Sequence, residues 1–112
     1  MSRKKYIPAR GHIIFTNFNP SAGQEQAFER PALVLSPEQF NKKMKLALVA
    51  PITSTVRGHG FEVNLVNTDT TGVVLCQQIK VIDYVSRGVR FIEDADPNVL
   101  AKSLALAKLL VT

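Results

Sequence analysis

The sequence predicts a mainly β fold, a small barrel or sandwich with a short inserted helix and a C-terminal α-helix. Short apolar or alternating runs recur from His12 to Ile92, separated by clusters of Gly, Pro, Asn and Ser. Two helix entrances, Ser36-Pro37 and Asp96-Pro97, interrupt and then end that series. The chain has 112 residues, 46% of them hydrophobic, which suffices for one core and leaves little room for a second. Residues 1–112 are therefore expected to form one domain, with residues 1–5 (Met-Ser-Arg-Lys-Lys) a mobile basic tail.

Each element has a local reason. His12 to Phe18 places Ile13, Ile14, Phe15 and Phe18 between Gly11 and the turn cluster Asn19-Pro20-Ser21-Ala22-Gly23, and reads as a strand. Ala22 to Arg30 is polar and lacks strand periodicity, so it reads as a long loop before the apolar strand Ala32–Leu35. In Ser36-Pro37-Glu38-Gln39, Ser36 is the expected N-cap, Pro37 the first helical residue and Gln39 the partner in a capping box. Asn41-Lys42-Lys43 is expected to end that helix before a buried strand, Leu46–Ile52, carrying Pro51 near its end. A loop from Thr53 to Gly60 leads to the alternating strand Phe61–Leu65, and Asn67–Gly72 is a turn. Strands follow at Val73–Gln77, Ile79–Tyr84 and Val89–Ile92. Asp96 caps the last helix, which runs unbroken from Asn98 to Val111. Leu100, Leu104 and Val111 form one stripe, with Leu106, Leu109 and Leu110 outside it. So wide an apolar surface implies packing on the sheet and a contribution to a subunit interface.

Fourteen Lys and Arg against nine Asp and Glu leave a formal charge of +5, which favours a polyanionic partner. No apolar run approaches the ~20 residues of a transmembrane helix, and a soluble, cytoplasmic protein is expected. Cys76 is alone, lacks neighbouring zinc ligands and reads as a small buried hydrophobe. Hydrolase, nucleotide-binding and metalloprotease signatures are absent, and neither metal nor cofactor is expected.

Chemistry therefore falls to polar groups on loops. Gln24, Glu25, Gln26 and Arg30 precede one core strand, while Thr53, Ser54, Thr55, Arg57 and His59 follow another. Metal-free RNA cleavage needs a base for the 2′-hydroxyl, stabilisation of the phosphorane charge and an acid for the leaving oxygen. Arg30 is a permanent planar cation and Thr53 a short hydroxyl donor, both suited to an anionic transition state. Glu25 suits a base or a clamp on Arg30, and His59 exchanges protons near neutral pH. The same residues also fit plainer roles: a surface arginine, a strand-end hydroxyl, a solvated carboxylate and a loop histidine. Arg57, Arg87 and Arg90 suit phosphate contacts or exposed pairs with groups such as Asp83. Phe28 suits base stacking or local anchoring.

At these positions the chain resembles the MazF/PemK family of toxin endoribonucleases. The likeness begins at Pro8-Ala9-Arg10-Gly11-His12-Ile13-Ile14 and runs through Phe18–Gln26 and Arg30–Pro37. Val49-Ala50-Pro51-Ile52-Thr53 and Thr71–Lys80 complete it. The resemblance implies an SH3-like barrel of the MazF/PemK/CcdB type, a homodimer, and metal-independent cutting of single-stranded mRNA at short motifs. A cyclic 2′,3′-phosphate or 3′-phosphate and a 5′-hydroxyl would result. It also implies a cognate antitoxin whose disordered segment covers the RNA groove.

Residue by residue, Arg30 and Thr53 match the MazF catalytic pair and Glu25 an accompanying carboxylate. The His, Arg and Asp of the PemK-like branch correspond to Gln24, Leu75 and Gln77, which puts weight on Arg30 and Thr53. RNA contacts are expected from Gln24, Phe28, Arg57, His59, Gln77, Gln78, Lys80 and Arg87. Two other functions compete. Gyrase poisons resembling CcdB end in Trp-Gly-Ile, whereas this chain ends Leu109-Leu110-Val111-Thr112 and contains no Trp. A catalytically inactive RNA- or antitoxin-binding module is opposed by the presence of both Arg30 and Thr53.

Overall fold

The computed structural model describes residues 5–17, 29–55, 58 and 60–112. Among these, the strands are β1 (His12–Asn17), β2 (Glu29–Val34), β3 (Ala47–Thr53), β4 (Glu62–Asn64), β5 (Val73–Leu75), β6 (Lys80–Ile82) and β7 (Arg90–Asp94). They form an antiparallel sheet in the order β4-β5-β3-β2-β1-β7, with β6 also paired to β3. The helices are α1 (Glu38–Met44), α2 (Tyr84–Arg87) and α3 (Pro97–Leu109), and a 3₁₀ turn spans Cys76–Gln78. The mainly β class, the inserted helix and the terminal helix agree with the sequence reading. The outer strands β4 and β7 do not meet, so the sheet is open rather than a closed barrel.

β3 organises the sheet. Along one edge it pairs with β2 through Pro51, Ala50 and Val49. Along the other, residues 47–49 pair with β6 and residues 52–53 with β5. Pro51 sits at the handover between those two partners, where its missing N–H removes no bond from either ladder.

Alternation along the strands sorts the core into two layers. Ile13, Leu33, Ala50, Ile52, Val74 and Cys76 face α3, which buries Val99 and lays Leu100, Leu104, Leu106 and Ala107 against them. Each large aliphatic side chain taken out of water there contributes about 1.5–3 kcal/mol. Ile14, Ala32, Val34, Ala47, Val49, Ile82 and Tyr84 form the other layer. Leu106 thus packs with Leu100 and Leu104, contrary to the expected division of the helix. Leu109, Leu110 and Val111 are exposed.

Local structure departs from expectation where side chains have tertiary work. Ser36 is not the cap of α1: Pro37 occupies that position without a side-chain bond, so there is no capping box. The Ser36 hydroxyl instead donates to Asn41 Oδ1 at 2.6 Å and accepts from the Leu48 amide at 2.9 Å. Asn41 does not break α1 but is buried within it, its amide donating to the carbonyls of Pro8 and Ser36. The helix ends instead at Lys45, which takes the left-handed conformation at φ 60°.

Two further strands are shorter than expected. The first stops at Leu75, where the 3₁₀ turn begins. The second stops at Ile82 because Asp83 caps α2, its carboxylate accepting from the Ser86 amide. The last helix begins as expected, with Asp96 accepting from the Asn98 amide, and it ends at Leu109. No helix among the described residues is long and apolar enough to cross a membrane.

Candidate active site

Arg30 lies within β2 rather than on the loop expected before Ala32, and Thr53 is the last residue of β3. The β2–β3 register runs Ala32↔Pro51, Leu33↔Ala50 and Val34↔Val49. Carried two places further, it sets Arg30 across from Thr53. On the other side of β2, Arg30 pairs with Thr16 of β1. Thr53, Arg30 and Thr16 therefore form a row across three neighbouring strands, about 10 Å from end to end at ordinary strand spacing.

All three share one face. Thr16 is two residues from Ile14, Arg30 two from Ala32 and Thr53 four from Val49, all members of the layer away from α3. Ile14, Ala32 and Val49 of the apolar layer lie alongside the row on the same face. The half-buried Thr53 hydroxyl accepts the Thr55 amide at 3.2 Å, which leaves its own hydrogen to donate to an oxyanion. Thr16 is 1% exposed, and among the described residues its Oγ1 has no hydrogen-bond partner.

Lys80 joins the same face from β6, paired with Val49 and two residues from Ile82. Gln77 and Gln78 are exposed on the 3₁₀ turn that links β5 to β6, beside the handover in β3. Arg87, at the end of α2, donates through Nη1 to the Asn17 carbonyl at the end of β1. Arg90 is not part of this row: its guanidinium lies 4.8 Å from the centre of the Phe15 ring. Phe15 alternates with Thr16 and faces the other way.

The structure thus draws Arg30, Thr53, Lys80 and Arg87 toward one face, with Gln77 and Gln78 at its margin. Gln24, Glu25, Phe28, Arg57 and His59 lie outside the described residues, as do residues 1–4 and Phe18. Sequence reasoning missed Thr16, whose signal was a hydroxyl at a core-facing position of the Ile14-Phe15-Thr16 alternation. It also missed α2 and its cap, because Asp83 follows an apolar run that reads as continuous strand.

Of the titrating groups nearby, Asp83 is held below the usual carboxylate range by the Ser86 amide and hydroxyl. Burial pushes the Cys76 thiol up, away from reactive thiolate, in agreement with its expected place in the core.

Arg30 and the hydroxyl of Thr53 thus share one face of a small open antiparallel sheet, with Lys80 on the same face. The chain belongs to the PemK-like, MazF-like toxins of type II toxin–antitoxin systems, whose family model matches residues 9–110. It is 42% identical to the endoribonuclease toxin MazF of Escherichia coli K12 over 84 residues, 75% of this chain and 76% of that one. It is 36% identical to the endoribonuclease PemK of Escherichia coli over 115 residues, covering 98% of this chain and 86% of that one. The crystal structure of MazE–MazF from Deinococcus radiodurans superposes with a TM-score of 0.86 at 36% identity, covering 95% and 97% of the two chains.

Proposed function

We propose that this protein is the toxin of a toxin–antitoxin pair, a metal-independent, sequence-specific endoribonuclease acting on single-stranded mRNA. The reading is supported by the β2–β3 register, which, continued two residues beyond Ala32↔Pro51, brings Arg30 level with Thr53 on one face. Arg30 spans two oxygens of the scissile phosphate and Thr53 donates to the charge that builds on it. The 2′-oxygen attacks phosphorus and the bond to the 5′-oxygen breaks. The 2′-proton passes to a base, and the leaving oxygen takes up a proton. Glu25 and His59 are the side chains suited to exchange these protons. The products are a 2′,3′-cyclic phosphate, or the 3′-phosphate it hydrolyses to, and a 5′-hydroxyl.

Around this centre Gln24, Gln77 and Gln78 meet base edges, Phe28 stacks, and Arg57, His59, Lys80 and Arg87 meet phosphates. A cognate antitoxin covers the same groove, a reading supported by the MazE–MazF likeness. The protein works as a cytoplasmic homodimer, which the exposed Leu109, Leu110 and Val111 of the α3 end support.

The test is incubation of antitoxin-free protein with a long single-stranded RNA in EDTA, with fragment ends mapped. Cuts at one short motif with cyclic-phosphate ends are expected, falling at least about 100-fold in Arg30→Ala, the scale of losing one oxyanion donor. Intact RNA from folded protein that still arrests growth would overturn the reading and point to a protein target such as gyrase.

A further inference from the structure

Among the described residues two buried side-chain oxygens have no hydrogen-bond partner, Thr16 Oγ1 and Ser103 Oγ. Ser103, on α3, sits beside the Cys76 thiol, a weak polar neighbour. Around Thr16 the same layer presents the apolar Ile14, Ala32 and Val34, and the Tyr84 hydroxyl in that layer is committed to the Asn41 carbonyl. A hydroxyl buried without a partner costs stability, so its presence in the row calls for a physical reason.

Arg30 supplies one. It and Thr16 are partners across the β1–β2 ladder and point to the same face. Side chains so placed start about 4.5–5.5 Å apart at Cβ, a gap that the flexible stem of an arginine spans. Arg87, the other guanidinium at that end of β1, is engaged with the Asn17 carbonyl. A guanidinium carries more N–H donors than the pair that a phosphate takes in parallel. That pair aims correctly only if the plane of the fork is held, because β2 fixes the backbone of Arg30 and leaves its stem free to turn. Holding the plane takes an acceptor for a further N–H. The Thr53 hydroxyl already accepts the Thr55 amide and has its hydrogen to give to the phosphate charge. Thr16 Oγ1 has its lone pairs open, its χ1 is stiff because threonine is β-branched, and burial keeps water from competing for it.

We propose that Thr16 is the positioning residue of Arg30: with RNA bound, Thr16 Oγ1 accepts one N–H of the guanidinium and sets its plane, so that others straddle the scissile phosphate. The hydroxyl left unpaired in the free protein is the acceptor that this contact uses. The proposal rests on the ribonuclease reading and deepens it by naming what aims its principal cation.

Cleavage of one RNA carrying the mapped cut site is followed for Thr16→Val and Thr16→Ser, and for both again in an Arg30→Ala background with protein in excess. Thr16→Val should lower kcat about tenfold or more, the scale of one hydrogen bond to a charged group, and leave KM within about twofold. Thr16→Ser keeps the oxygen and should stay within about threefold of the unsubstituted rate. Tm should run in the other order, highest for Thr16→Val and lowest for Thr16→Ser, which empties a methyl from the core. A merely structural role would make the rate follow Tm. In the Arg30→Ala background Thr16→Val should change the residual rate by less than about twofold, because the group it serves is gone. The proposal is overturned if Thr16→Val cuts as fast as the unsubstituted protein, if Thr16→Ser is as slow as Thr16→Val, or if Thr16→Val costs as much without Arg30 as with it. If the unsubstituted protein cuts no RNA, the ribonuclease reading fails and the proposal falls with it.

Discussion

Gly72 stands against the backbone of Thr53. Its φ of +121° lies where side chains rarely go, and a Cβ there would overlap the Thr53 carbonyl oxygen. The end of β3 is held in place by a residue with no side chain. Gly72→Ala is expected to lower stability by about 1–3 kcal/mol, the scale of a strained backbone, and to reduce RNA cleavage more than a destabilised but intact site would. Urea denaturation beside cleavage assays on fully folded protein checks both.

Thr16→Val should act in the opposite direction. The hydroxyl it removes is buried without a partner among the described residues, and valine fills nearly the same volume. Stability is expected to rise by about 1 kcal/mol, a few degrees in Tm for a chain of this size. A fall in Tm by scanning calorimetry would count against the unpartnered hydroxyl.

Asn41 joins three parts of the chain. Its side chain bonds Ser36 and the Pro8 carbonyl, and its backbone carbonyl accepts the Tyr84 hydroxyl at 2.6 Å. Asn41→Leu keeps the bulk and leaves the Pro8 carbonyl and Ser36 hydroxyl short of a partner. A loss of about 2–3 kcal/mol in chemical denaturation is expected.

Glu93 governs part of the response to acid. Its carboxylate accepts from the Thr70 hydroxyl at 2.7 Å, the Thr70 amide at 2.8 Å and the Asp69 amide at 3.1 Å, which holds it below the usual glutamate range. A carboxyl group that ionises more readily when folded favours folding at pH values above its unfolded pKa, about 4.3. That contribution fades as pH falls through the lower folded value. Tm measured from pH 7 down to pH 2.5 should drop across this range, and Glu93→Gln should flatten the drop while lowering the neutral plateau.

Local signals that act locally were legible in the sequence. Asp96-Pro97 starts α3 as its residues predict, because Asp96 caps the helix it precedes. Ser36-Pro37 carries the same kind of signal, yet the Ser36 hydroxyl is drawn to Asn41 and Leu48, partners that exist only after folding. Arg30 was legible as a residue type and its alignment with Thr53 was not, since register depends on how β2 and β3 slide together. The 3₁₀ turn at Cys76–Gln78 and helix α2 were hidden for a related reason. Val73 to Tyr84 reads as two strands, whereas β3 accepts only three residues from β6 and two from β5.

That divided strand gives the molecule two units of cooperativity that meet inside its working face. Arg30 belongs to the larger ladder of β7, β1, β2, β3 and β6, and Thr53 pairs with Val73 of the short β4–β5 hairpin. Fraying of three-residue strands needs far less free energy than global unfolding. Opening of the hairpin would free Thr53 while Arg30 stays put, so amides of residues 62–64 and 73–75 should exchange with solvent ahead of those in β1 and β2. Whatever settles on both ladders at once, substrate or inhibitor, clamps that joint, and slowed exchange in the hairpin would record its arrival.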